Sequence, residues 1–263
     1  YLPMLLIMNY FVGLEGIIWA QPVADLCSVV LAVIMFSSTM KKIKKLLAVF
    51  AAVSVALMLP LQTMAAVDLN AKYDISTNQI QGWPAGPDIT SDTGILMDAD
   101  TGVVLYNKGA DEQRYPASIT KIMTALLGSE SLKATDKFTM SETAAHGITD
   151  TQSSSIYADT GEEFTVEQAL MAVMLQSANE MTLAIAEQTS GSVKKFVELM
   201  NLKARQLGCT NTHFNNPNGL PDENHYTTAS DMAKIAKSAW LNPLFRRYCT
   251  KRYYEIPATN KFA

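Results

Sequence analysis

Pro116-Ala117-Ser118-Ile119-Thr120-Lys121 sets a serine and a lysine three residues apart, just behind a proline. On a helix, residues at that spacing share a face, so Lys121 can lie beside the Ser118 hydroxyl. A serine hydroxyl is a poor nucleophile until a neighbouring base takes its proton. Lysine serves as that base only when desolvation or a nearby positive charge lowers its pKa. A helix start adds free backbone N–H groups for a developing oxyanion. The spacing alone is weak, because it recurs at Ser38/Lys41 and at Ser192/Lys195. A second stretch discriminates. Ser177-Ala178-Asn179 interrupts an otherwise apolar helical run from Val166 to Ile185. Burying such polar side chains unpaired costs roughly 1–3 kcal/mol each, so they need a reason. Lining a site is one reason; a local helix break satisfied by backbone is the other. Ser76-Thr77-Asn78 has the same spacing but lies in a polar arm, where no burial argument applies.

Working outward, the pattern predicts α+β. Gly94–Asp98 and Val103–Tyr106 are strand-like and flank Ala99-Asp100-Thr101-Gly102, which carries turn chemistry. One helix is predicted from near Ser118 to Gly128. Another starts at Thr165, where Thr165-Val166-Glu167-Gln168 reads as a capping box. Leu170, Met171, Val173, Met174 and Leu175 suit its burial. A third runs from about Ser192 to Gly208 with Phe196, Leu199, Met200 and Leu202 on its apolar side. A fourth runs from Thr228 to about Trp240, with Asp231 favouring its N-terminal dipole. Asn216-Pro217-Asn218-Gly219 is a turn between them. A two-stranded hairpin is marginal alone and needs further strands or a helix to pack on.

The 263 residues carry a net charge of −4, with −6 on residues 67–263. That gives no electrostatic footprint for nucleic acid. Cys27, Cys209 and Cys249 are too few and scattered for a disulfide framework or zinc cluster. His146, His213 and His225 read as loop or surface residues. No Gly-x-Ser-x-Gly elbow and no His-Glu-x-x-His occurs, which argues against a hydrolase triad of that type and a zinc peptidase.

The N-terminus is different in kind. Lys41, Lys42, Lys44 and Lys45 precede an apolar run from Leu46 to about Leu61, and small residues follow at Ala65-Ala66. That is the build of a secretory signal peptide over 40–66, with a cut expected near Ala65 or Ala66; an uncut membrane anchor is the alternative. Residues 1–39 do not fit ahead of a signal peptide. Gly13-Leu14-Glu15-Gly16-Ile17-Ile18-Trp19-Ala20-Gln21-Pro22-Val23-Ala24-Asp25 resembles the last helix of a MATE-type efflux transporter, read as an extraneous transmembrane segment. An ordinary extra membrane helix is the other reading. Residues 67–92, broken by Gly82, Pro84, Gly86 and Pro87, read as a linker or wrapping arm, neither strand nor helix.

Ser-x-x-Lys followed by Ser-x-Asn is the motif order of penicillin-binding proteins and serine β-lactamases. Trp83-Pro84-Ala85-Gly86-Pro87, Asp98-Ala99-Asp100-Thr101-Gly102, Tyr115–Thr124, Leu175–Glu180 and Asn216–Pro221 resemble the low-molecular-weight D-Ala-D-Ala carboxypeptidases. The resemblance runs from about Trp83 to the end. It implies a serine β-lactamase/penicillin-binding-protein-like fold over 93–263. It implies an acylated Ser118, a general base at Lys121 and a proton relay at Ser177. Asn179 would hold the substrate amide. The implied partners are a peptidoglycan stem peptide ending in D-Ala-D-Ala, β-lactams as covalent inhibitors, and the membrane through the N-terminal segments. No metal or cofactor is implied. A β-lactamase is the nearest rival, and a non-catalytic membrane-anchored fragment is the reading from another class. The family's third motif, Lys-Thr-Gly on a later strand, does not occur here. The expectation is therefore a partial catalytic domain with an incomplete antiparallel sheet and little activity of its own.

Overall fold

The computed structural model describes residues 67–68, 70–149 and 153–262. The signal-peptide and transporter-like readings of residues 1–66 lie outside the described residues. Strand β1 (Gly94–Met97) pairs antiparallel with β2 (Val104–Lys108). Gly102 at φ +78° closes the hairpin, a conformation that costs glycine little. The register slips between Leu96 and Met97, which leaves Leu105 as a bulge. Trp83 Nε1 donates to the Leu105 carbonyl at 3.0 Å, so the arm satisfies a group near that irregularity. The arm also departs from the expectation of no regular structure. Ser76–Gln79 form one 3-10 turn, and Ile75 bridges Lys108 beside the hairpin.

The helices follow: α1 (Lys121–Ser131), then β3 (Lys137–Thr139) and α2 (Glu142–His146), then β4 (Glu163–Thr165) running into α3 (Val166–Gln176). After these come α4 (Asn179–Ser190), α5 (Val193–Gln206), α6 (Ala229–Leu241) and α7 (Pro243–Cys249). The strands β3 and β4 form a second antiparallel pair. Helix α4 is the centre: it packs on α1, α2, α3 and α5, and Met181 and Ile185 are fully buried. Helix α6 lies against β1 and gives the hairpin the partner it needs.

The capping box at Thr165 is present in both directions, with Gln168 N–H to Thr165 Oγ1 at 3.2 Å and Thr165 N–H to Gln168 Oε1 at 2.6 Å. One helix end and two apolar assignments need correction. Helix α1 passes through Gly128 to Ser131. A Cβ on Gly128 would meet Ile185 at 2.9 Å, so this glycine serves close helix packing rather than a stop. In α5 the buried stripe is Phe196, Met200 and Ala204, whereas Leu202 is exposed, because a spacing of four keeps a straight face and Leu202 falls off it. Leu175 is likewise exposed at the end of α3. The thiols of Cys209 and Cys249 are free, and burial pushes the Cys209 thiol up to about 12.

Asp231 does more than face a dipole. It is buried, and accepts from Asn211 N–H at 2.9 Å, from Thr212 Oγ1 at 2.8 Å and from Lys234 Nζ at 2.9 Å. Asp231→Ala strands these donors and is expected to cost about 3 kcal/mol in urea unfolding. Replacing the exposed Asp100 by alanine should stay within about 0.5 kcal/mol. A loss at Asp231 no larger than at Asp100 would contradict the network.

Candidate active site

Pro116 is followed by Ala117 at φ +48°, a strained position for a residue with a Cβ. Residues Ala117–Thr120 then form a 3-10 turn that feeds α1 at Lys121. In a 3-10 turn, side chains three apart eclipse. Ser118 and Lys121 therefore stack across the junction of two helix types, rather than within one helix as expected. Lys121 Nζ donates to Ser118 Oγ at 3.1 Å. Ser118 is exposed while Lys121 is only 4% exposed.

At Ser177 the local helix break is present, and it also gives the polar side chain a partner. Helix α3 ends there, with Ser177 in the left-handed region at φ +57°. That break turns its hydroxyl onto Ser118, to which it donates at 3.1 Å. Asn179 is one step removed. It starts α4, its N–H donates to the Ser154 carbonyl at 2.9 Å, and its buried Oδ1 has no partner among the described residues. The structure thus joins Ser118, Lys121 and Ser177 directly and keeps Asn179 at the edge of that chain. The competing spacings go elsewhere. Ser192 is the N-cap of α5, accepting from Lys195 N–H, and Asn78 Oδ1 accepts from Gly86 N–H. Ser38/Lys41 lies outside the described residues.

Three contributors were not read from the sequence. The Asn218 carbonyl accepts from Lys121 Nζ at 2.7 Å. It is delivered by the Asn216–Leu220 loop, which knits itself through Asn216 Oδ1 to Gly219 N–H at 2.7 Å and Asn218 Oδ1 to Leu220 N–H at 3.0 Å. Glu180 is buried beside Asn179, and its Oε1 accepts from Ser155 Oγ at 2.8 Å and Ile156 N–H at 2.7 Å. His225, expected in a loop or at the surface, is in a loop but only 2% exposed, since the chain folds its ring under the Ser118 turn. Burial lowers the Lys121 pKa to about 8, with the Glu180 carboxylate opposing that shift. At pH 7 roughly one Lys121 in ten is then neutral, against about one in three thousand at the ordinary value.

A serine paired with a buried lysine and met by a second serine is the geometry of a candidate active-serine site of the lysine-assisted kind. The sequence profile of the D-alanyl-D-alanine carboxypeptidase family matches residues 80–261. The chain belongs to that family. It is 46% identical over 150 residues to D-alanyl-D-alanine carboxypeptidase DacF of Bacillus subtilis, covering 55% of this chain and 38% of that protein. It is 38% identical over 168 residues to DacA of Haemophilus influenzae, covering 62% and 42%. Among solved structures it resembles penicillin binding protein 5 from Haemophilus influenzae, at TM-score 0.58, 36% identity, and coverage of 61% and 48%. Penicillin binding protein 6B from Escherichia coli is similar at TM-score 0.64 and 26% identity, covering 69% and 60%. The fold is the α+β fold of these proteins. The chain spans about two fifths of the length of the two curated relatives.

Proposed function

We propose that this chain carries the acylating half-site of a serine D-Ala-D-Ala carboxypeptidase. The observation that carries the reading is Ser118 Oγ within 3.1 Å of both Lys121 Nζ and Ser177 Oγ. Neutral Lys121 takes the Ser118 proton as Oγ bonds to the penultimate D-Ala carbonyl carbon. The C–N bond then breaks, and Ser177 passes a proton to the leaving D-alanine nitrogen. Water attacks the ester and regenerates the hydroxyl, so the sum is one water consumed and one D-alanine released. Asn179 holds the substrate amide. A β-lactam presents a similar carbonyl and acylates Ser118. The partners follow: peptidoglycan stem peptides and β-lactams. The signal-like segment at 40–66 supports action outside the cytoplasmic membrane, with the N-terminal segments as its membrane contact. No helix among the described residues is long and apolar enough to cross a membrane.

The motif Lys-Thr-Gly is not supplied by these 263 residues. Acylation should therefore be slow in this polypeptide and faster in one of the relatives' full length. The test is D-alanine release from a D-Ala-D-Ala peptide, measured in both. Rapid penicillin turnover without D-alanine release would overturn the reading in favour of a β-lactamase.

The pH dependence follows in sign from Lys121. The base must be neutral, so acylation should rise about tenfold per unit below pH 8 and level off above it. Glu180 holds the lysine pKa up, so Glu180→Gln should move the inflection to lower pH. A profile flat from pH 6 to 9 would remove Lys121 as the base.

A further inference from the structure

Beneath the Ser118–Lys121 pair lies a histidine that the proposed chemistry does not use. The ring of His225 is 2% exposed and packs edge-on to Phe214 with centroids 5.6 Å apart. Its Nδ1 lies 3.0 Å from Asn215 N and 3.4 Å from Asn216 N. A backbone N–H can only donate, so Nδ1 accepts and carries no proton. The neutral ring then holds its proton on Nε2, which donates to Thr120 Oγ1 at 2.8 Å. Burial agrees with this form, holding the ring pKa down to about 4 with Asp222 opposing. A protonated ring would set N–H against N–H at Asn215.

The two ends of this bridge are the two segments that place the lysine. Thr120 is fully buried and lies between Ser118 and Lys121 in the turn. Asn215 and Asn216 open the loop whose next residues reach α1. The Pro217 carbonyl accepts from Thr124 Oγ1 at 2.6 Å, and the Asn218 carbonyl from Lys121 Nζ at 2.7 Å. We propose that His225 is a positioning residue for acylation: one neutral imidazole locks the nucleophile's turn to the loop that holds the base. An apolar residue could fill the volume. It could not accept from the loop and donate to the turn at once.

The proposal rests on Ser118 being the acylated group, and its test separates the two. Labelling of the chain by a fluorescent penicillin is followed over time, resolving the acylation rate constant from the initial binding constant. His225→Phe, which keeps a ring, should lower the rate constant about tenfold or more with the binding constant unchanged, since small misplacements of reacting groups cost that much. His225→Gln keeps a donor for Thr120 and should recover a large part of the loss. Thr120→Val cuts the same bridge from its other end, and carries the test should the ring variant fail to fold. The double variant should lose no more than the worse single one. In the unmodified chain, nitrogen NMR of the imidazole should show the proton on Nε2 independently of any activity. A folded His225→Phe that acylates at the unmodified rate, losses that multiply in the double variant, or a proton on Nδ1 would overturn the proposal alone. A chain that takes no label at Ser118 would overturn the functional reading beneath it.

Discussion

In a polypeptide of the relatives' full length, Ser118→Ala is expected to abolish covalent labelling by penicillin and D-alanine release together, with unfolding unchanged. The effect should exceed 10⁴-fold, on the order of what removal of a triad member does in other serine enzymes. The physical ground is narrow. Among the described residues, Ser118 Oγ is where donations from Lys121 Nζ and Ser177 Oγ converge, both at 3.1 Å. Ser118 is exposed, so trimming its hydroxyl creates no cavity and strands no buried partner chain. Lys121 keeps its bond to the Asn218 carbonyl and remains satisfied. Mass mapping of any residual adduct decides the matter. An adduct on Ser177 or Ser192 in the unmodified chain would displace Ser118 from its role.

The second large effect is expected at a residue with no chemistry. Gly219 has φ +87°, and a Cβ there would stand 1.8 Å from the Ala117 carbonyl oxygen and 3.0 Å from Thr120 Oγ1. The obstacle is backbone, immediately before the nucleophile, so no side-chain rotation relieves it. Gly219→Ala must push the Asn216–Leu220 loop away from the Ser118 turn. Left-handed strain and overpacking each cost roughly 1–3 kcal/mol. Together they should lower Tm by about 10 °C in a domain of this size. The displacement should also carry the Asn218 carbonyl off Lys121, with acylation falling about 10²-fold. Gly191 is the control: its φ is +76°, and a Cβ there meets nothing within 4 Å. Gly191→Ala pays the backbone term only and should leave acylation unchanged. Equal effects at the two glycines would show that φ, not the close approach, sets the cost.

The site was only partly legible. Ser118, Lys121 and Ser177 were readable because short spacing on a helix start, or a polar break in an apolar run, is local information. The helix type was not readable, since a 3-10 turn and the first turn of an α-helix share the same spacing of three. Leu202 was misplaced for a related reason: hydrophobicity alone does not say which of several apolar residues on a helix faces the core. For the arm at 67–92, the choice between linker and wrapping arm is not legible locally, because its bonds, such as Trp83 to Leu105, go to a strand that is distant in sequence.

By itself the sequence determined the local grammar of this protein. It set the Thr165 capping box, the hairpin turn at Gly102, the helix start at Thr228 and the pairing of Ser118 with Lys121. Each depends on residues within a few positions of one another, whose geometry the backbone enforces. Tertiary structure alone decided what tunes that pair. Lys121 meets the Asn218 carbonyl across 97 residues, and Thr120 meets His225 across 105. No periodicity encodes such meetings, because they depend on how α1, the Asn216–Leu220 loop and α6 pack together. The same packing removes water from Lys121 and brings its pKa toward 8, and that desolvation makes an ordinary lysine able to act as a base.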